Sequence, residues 1–297
     1  RPVREDFRMG GPGVADHAGG GGDGRPGAQH GRTRIRRRPG QHAGHALGVF
    51  VVAGTGHRPA RGHVGSLETQ HVGVRQVQPD IDKDVRYAGT AHAEVLAHWP
   101  EVIASPTPAA AGRVQAWVVG PGLGTDEAGA AALWFALDTD LPVLVDADGL
   151  TMLADHPDLV AGRNAPTVLT PHAGEFARLA GAPPGDDRVG ACRQLADALG
   201  ATVLLKGNVT VIADPGGPVY LNPAGQSWAA TAGSGDVLSG MIGALLASGL
   251  PSGEAAAAAA FVHARAAAAA AADPGPGDAP TSASRISGHI RAALAAL

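Results

Sequence analysis

A single cysteine, Cys192, stands in 297 residues, so no internal disulfide framework can form and the chain suits a reducing compartment. Aromatic residues make up only 4%, and any core must be built from Ala, Val and Leu. No apolar run is read as reaching membrane-spanning length, and the opening Arg-Pro-Val shows no signal-peptide apolar segment. The expectation is a cytoplasmic protein with no membrane partner. Neither sign of charge dominates: the net charge is -4 and the pI about 6.4, which gives no general reason to invoke nucleic acid. The Walker pattern G-x-x-x-x-G-K-[ST] occurs nowhere. What is present, 44% hydrophobic residues in a chain of this length, suffices for one large α/β domain, or one domain plus extra sequence.

Residues 1–84 lack period as well. They are rich in Arg, Gly, His and Pro, with the run Gly19 to Gly22, the basic cluster Arg32 to Arg38 and one short apolar run from Leu47 to Ala53. A nucleic-acid-binding tail would interleave aromatics or show a module, and neither is there. The stretch is expected to be a disordered leader or a piece outside the native reading frame, with the folded domain at 85–297.

From about Val85 the chain becomes regular. Apolar strands are expected at Val114–Val119, Pro142–Val145, Thr167–Leu169 and Thr202–Leu205, with further strands at Val209–Ala213 and Val219–Leu221. Helices are expected at His92–His98, from a Thr125 or Asp126 cap to Leu137, to about Ala154, through Leu179, at Arg188–Leu199, at Ser252–Ala272 and from about Ser282. This alternation means a mostly parallel sheet covered on both faces. Ligands of such sheets lie off the carboxyl ends of the strands. Four strand ends here carry unusual residues, at 120–124, 146–149, 170–175 and 206–210.

All four should converge on Ala230-Thr231-Ala232-Gly233-Ser234-Gly235-Asp236. This loop leads into a helix whose apolar period runs Val237, Leu238, Met241, Ile242, Leu245, Leu246. The first amides of a helix have no internal partner and sit at the positive end of its dipole, so they make an anion site. Asp236 at that same end suggests a group that handles a proton on an acceptor; otherwise it is a first-turn dipole partner. Lys206, Gly207 and Thr210 offer a cation, an open amide and a hydroxyl suited to phosphate, although a lysine closing a strand is by default solvated. His172, a lone histidine after Pro171 at a strand end, is a ligand contact or simply structural, and Glu175 can simply stabilise the N-terminus of its helix. Gly120-Pro121-Gly122-Leu123-Gly124 is a tight turn or a ligand loop. Asp146 and Asp148 are a metal or ribose pair, or turn and cap residues.

These motifs together resemble the carbohydrate-kinase-like family of ADP/ATP-dependent NAD(P)H-hydrate dehydratases, in the ribokinase-like superfamily. The resemblance rests on Val118–Gly124, Val145–Leu150, Leu169–Glu175, Leu205–Thr210, Asn222–Gly225 and Ala232–Gly240, in the family's order, and covers residue 85 to the end. Ser234 stands where the family usually has threonine. Residues 1–84 match neither the family's opening segment nor the epimerase domain that often precedes it. The resemblance implies a three-layer α/β/α sandwich with a mostly parallel central sheet. It implies dehydration of the S form of NAD(P)HX to NAD(P)H, with ADP or ATP as phosphoryl donor and Mg²⁺ as cofactor. It assigns Asp236 as base, with Gly233 and Gly235 holding the transferred group. Gly122, Gly124, His172 and Asp236 would contact the substrate. Lys206, Gly207, Asn208, Val209, Thr210 and Gly235 would contact the nucleotide, and Glu175 would hold Mg²⁺ through water. A functional link to an NAD(P)HX epimerase and a homo-oligomer are also implied. The alternatives are a small-molecule kinase of the same superfamily and a non-catalytic nucleotide- or nucleic-acid-binding protein.

Overall fold

Nine strands, nine α-helices and one 3₁₀ turn account for the regular structure of the described residues, which are 48–52, 85–224 and 226–297 of a computed structural model. The strands are β1 (Gly48–Val52), β2 (Val85–Gly89), β3 (Ile103–Ser105), β4 (Ala116–Val119), β5 (Val143–Val145), β6 (Thr167–Leu169), β7 (Thr202–Leu205), β8 (Val209–Ala213) and β9 (Val219–Pro223). They form one sheet in the order β3-β2-β1-β4-β5-β6-β7-β8-β9. β4 to β7 run parallel, as do β2 and β3. β1 is antiparallel to both of its neighbours, and so is β8. Seven strands therefore point one way, and β1 and β8 point the other.

The helices are α1 (His92–His98), α2 (Glu127–Leu137), α3 (Ala147–Leu153), α4 (Asp158–Ala161), α5 (Ala173–Ala180), α6 (Arg188–Leu199), α7 (Ser234–Ala247), α8 (Ser252–Ala272) and α9 (Ala283–Ala295). Strand residues alternate between two faces, as the period of a strand demands. Trp117, Val119, Val143, Val145, Leu169, Val203 and Leu205 pack against α2, α3, α5 and α6. Ala116, Val118, Leu144, Val168, Leu204 and Ile212 pack against α7 and α8. A third cluster, with Ala266, Ala270 and Ile286, joins α8 to α9. This is the three-layer sandwich expected.

Two expectations change. First, the reading before Val85 gave no strand, yet β1 lies inside the sheet between β2 and β4. Five residues bounded by irregular sequence are too few to show a period. β2 and β3 were missed because VRYAG and IAS carry no continuous apolar run. The rest of the reading of residues 1–84 lies outside the described residues. Second, α8 is 21 residues long and holds an 18-residue window of mean hydropathy 1.4, so by length and composition it could cross a membrane. Alanine raises hydropathy without bulk, and α8 buries Ala255, Ala256, Ala259 and Ala266 against its neighbours as a core helix.

Candidate functional site

The carboxyl ends of β4 to β7 are stitched together beyond the strands themselves. Asp146 N donates to Val119 O (3.1 Å), Thr170 N to Val145 O (3.2 Å) and Lys206 N to Pro171 O (2.8 Å). The four predicted strand ends thus form one rim. Gly120, with φ +125°, must be glycine there, because a Cβ would lie only 1.8 Å from Asp146 O.

Asp146 is the centre of the rim. It is 1% exposed, and a buried carboxylate needs its lone pairs met. Its Oδ1 accepts from Lys206 Nζ at 2.8 Å and from Ala147 N at 2.9 Å, and its Oδ2 accepts from Ser239 Oγ at 2.8 Å. Asp146 therefore ties β5, the end of β7 and the first turns of α7 together. Glu175 adds a second carboxylate, its Oε2 3.8 Å from Lys206 Nζ. Of the readings open for Asp146 and Asp148, metal or ribose pair against turn and cap residues, the cap holds for Asp146, which starts α3 and also grips Lys206. Asp148 accepts from Gly124 N at 2.9 Å and so anchors the Gly120–Gly124 loop.

α7 enters over this rim. Gly233, its cap, has φ +80°, a left-handed conformation that glycine takes without strain. The Ser234 amide donates to Thr231 O (3.2 Å) and that of Val237 to Gly233 O (3.2 Å). The amides of Gly235 and Asp236 lie between, in the helix turn that has no internal acceptor. Gly235 is in the angle between the charges: a Cβ there would stand 3.5 Å from Lys206 Nζ and 3.7 Å from Asp146 Oδ2. Asp236 keeps an exposed side to solvent at this turn and is not among the residues that line the cavity beside it. The protein around it raises its pKa above the usual carboxylate range, chiefly through burial and then through the Asp146 charge; Lys206 opposes this and Asp148 adds to it. Asp236 and Ser239, three apart, share the helix face turned to Asp146.

A cavity of about 370 Å³ lies beside this turn, within the usual range for a small-molecule site. His172, Lys206, Gly207, Asn208, Thr210 and Gly235, all singled out in the sequence, line it. Asn222, Ser234 and His263 line it too. Val209 does not: it is 41% exposed as the first residue of β8. Gly122 and Gly124 do not either. Their loop instead places Leu123 in a separate apolar cavity of about 350 Å³. A larger cavity, about 560 Å³, lies away from the rim, between α4, α5 and α6, and is lined mostly by apolar residues such as Phe176, Leu179 and Leu195.

His172 and Glu175 also build the start of α5. His172 Nδ1 accepts from the amides of Gly174 (2.9 Å) and Glu175 (3.2 Å), and Glu175 Oε2 accepts from His172 N (2.8 Å), a complete capping box. With Nδ1 accepting, the neutral ring carries its proton on Nε2. His172 thus caps α5 and also lines the cavity. No group of three or more His, Cys, Asp or Glu side chains among the described residues could hold a metal.

His263 was missed. It is buried on α8, and its Nε2 lies 3.2 Å from Ser234 Oγ. The available signal was a lone imidazole on the inner face of an alanine helix.

Comparison with known proteins agrees with this geometry. Residues 84–289 match the carbohydrate-kinase family described as NAD(P)H-hydrate dehydratase. Over 213 residues, 72% of the chain, it is 85% identical to the bifunctional NAD(P)H-hydrate repair enzyme Nnr of Mycobacterium leprae, of which it spans 45%. It is 38% identical over 226 residues, 72% of the chain and 74% of the relative, to the ADP-dependent (S)-NAD(P)H-hydrate dehydratase of Neisseria meningitidis. Among solved structures it is similar to the ADP/ATP-dependent NAD(P)H-hydrate dehydratase of Bacillus subtilis co-crystallised with ATP/Mg²⁺. The TM-score is 0.60 at 27% identity, over 70% of this chain and 76% of that one. The strand-end rim, the helix entering over it and these likenesses place the chain in the NAD(P)H-hydrate dehydratase family.

Proposed function

We propose that this chain dehydrates the S form of NAD(P)HX to NAD(P)H at the expense of ADP or ATP, as a nicotinamide-repair enzyme. The observation that carries the reading is Asp236. It is a carboxylate of raised pKa beside the open amides of an α-helix N-terminus, 30 residues beyond Lys206 in sequence yet coupled to it in space. The nucleotide lies along Lys206, Gly207, Asn208 and Thr210, with Lys206 Nζ turned to its phosphates. Asp236 takes the proton from the C6 hydroxyl of the hydrated ring as that oxygen attacks the terminal phosphorus. The bond from phosphorus to the nucleotide's bridging oxygen breaks, and the nucleotide leaves one phosphate shorter. The amides of Gly235 and Asp236, with Gly233 shaping the turn, hold the oxygens of the transferred group. Departure of phosphate from C6, with the C6–O bond breaking and a proton leaving C5 to solvent, then forms the C5–C6 double bond and restores the reduced nicotinamide. His172 and the Gly122–Gly124 loop contact the hydrated cofactor.

The donors fit Mg²⁺, which is commonly held by one or two carboxylates while phosphates and water fill its other positions. Glu175 would hold it through water, and it would offset phosphate charge. We further read residues 85–297 as the dehydratase domain, joined by β1. The chain spans under half of the bifunctional M. leprae relative, and the repair reading calls for an NAD(P)HX epimerase as a functional partner. A homo-oligomer in the cytoplasm is part of the same reading. The test is to incubate the protein with NADHX, ATP and Mg²⁺ and to follow the absorbance of reduced nicotinamide. Recovery of that absorbance with release of inorganic phosphate supports the reading. A stable phosphorylated product would assign a kinase instead, and no reaction would remove the reading.

A further inference from the structure

We propose that His263 is a positioning residue for the reaction, holding the Ser234 hydroxyl so that the first turn of α7 presents the Gly235 and Asp236 amides to the transferred phosphoryl group. The inference rests on the dehydratase reading above. An imidazole is expensive to bury without a partner, and α8 needs none for packing, since its inner face is otherwise made largely of Ala and Val. His263 is nonetheless 6% exposed. The Ser234 hydroxyl, 3.2 Å from its Nε2, is in turn on a residue only 2% exposed. Burial holds the His263 pKa below its ordinary value, against a hydrogen bond to the Ser234 backbone, which favours the neutral ring.

Ser234 is the first residue of α7, directly after the left-handed Gly233. A glycine there bends easily, so something else must fix the turn. The Ser234 amide is tied to Thr231 O, and its side chain is tied to His263. With both ends of this residue held, the next two amides point in a fixed direction. His263, Ser234 and Gly235 border the same cavity as Lys206. The imidazole thus stands behind the phosphoryl site and acts on it through Ser234.

The test uses the full chain. In wild-type protein labelled with ¹⁵N-histidine, the His263 ring signals should report one neutral tautomer. They should shift when ATP and Mg²⁺ saturate the site. In Ser234→Ala the ring should lose its single tautomer and no longer respond. In the kinetic arm, His263→Leu keeps the bulk. It should lower kcat roughly 10- to 100-fold, as displaced catalytic groups do, with KM for ATP little changed. His263→Gln, whose amide can reach the hydroxyl, should recover much of kcat. Ser234→Ala should cost about the same as His263→Leu, and the double variant no more, because the pair acts as a unit. Ring signals that ignore saturating ATP, near-normal kcat in His263→Leu, or additive losses would overturn the proposal. If His263→Leu does not fold, the wild-type spectra still decide. If wild-type protein leaves NADHX unchanged, the dehydratase reading fails on its own, while the response of His263 to ATP still decides whether this ring senses the phosphoryl site.

Discussion

Asp236 concentrates the chemistry in one side chain, and its surroundings set the pH at which it works. Asp236→Asn keeps the shape and one acceptor oxygen but removes the base, so dehydration should fall by roughly 10²–10⁴-fold while nucleotide affinity holds. Near-normal turnover would reduce Asp236 to a dipole partner. Because burial and the charge of Asp146 raise its pKa, the base form is lost as pH falls through a value above the usual carboxylate range. The acid limb of kcat/KM should lie there. Asp148→Asn removes one of the charges that raise it and keeps an acceptor for the Gly124 amide, so the limb should move to lower pH; an unmoved limb would mean that another group titrates. The same shift has a stability sign. A raised folded-state pKa favours the fold below the unfolded value and loses that favour as pH rises through the folded value. Asp236→Asn should therefore raise Tm near neutrality, with the gain vanishing in acid. Sequence alone could flag Asp236 and Lys206, because a helix N-terminus and a strand end give each a local context. It could not weigh Asp146, since an aspartate after a strand reads equally as cap, turn or ligand until its partners at Lys206 and Ser239, 60 and 93 residues away, are placed.

At the scale of elements, the site is a junction of β5, β7 and α7 held by one buried ion pair. The Lys206 side chain is 23% exposed and that of Asp146 only 2%, so removing the lysine strands a buried carboxylate. Lys206→Ala should weaken ATP and ADP binding by roughly 1.5–3 kcal/mol, the scale of a charge-assisted contact. It should also cost stability by about 3–5 kcal/mol, the penalty for breaking a buried pair from one side. Adding Asp146→Asn should restore part of the stability and none of the affinity. Calorimetry and thermal melts separate the two effects; unchanged nucleotide affinity in Lys206→Ala would make the lysine a structural strut. Long periodic elements such as α2, α6, α7 and α8 were legible in the sequence because a buried face repeats over several turns. The cap of α2 was legible as Thr125 or Asp126, and it is Asp126 that accepts from Gly129 N at 2.9 Å. The three strands at the sheet's other end, β1 to β3, were not. The legible strands β5 and β6 are no longer than these, but they are apolar runs ended by turn residues, whereas Val85–Gly89 and Ile103–Ser105 mix polar and small residues, and what makes them strands is pairing with neighbours, which is tertiary information.

For the whole molecule, the division of labour along the chain is uneven. Every residue lining the proposed nucleotide cavity comes from position 172 onward, while the half of the sheet beyond β4 is built from residues before 106. β1 bridges the two halves. It pairs with β2 across Gly48↔Gly89 to Val52↔Val85, and with β4 across Phe50↔Val118 to Val52↔Ala116. Without it β4 would present an open edge of unpaired amides and carbonyls, a template for association with other chains. Yet the family match begins at residue 84, so this bridge comes from sequence outside the match. Hydrogen exchange on the full chain tests the arrangement. A strand paired on both sides opens only with the sheet, so the amides of 48–52 should exchange about as slowly as those of β4. The exchange of β4 should in turn be insensitive to ATP, because it is protected by β1 and β5 and not by the ligand. Fast exchange at 48–52 together with fast exchange along Ala116–Val119 would show that β1 is not part of the native sheet and that the dehydratase half carries an unprotected edge.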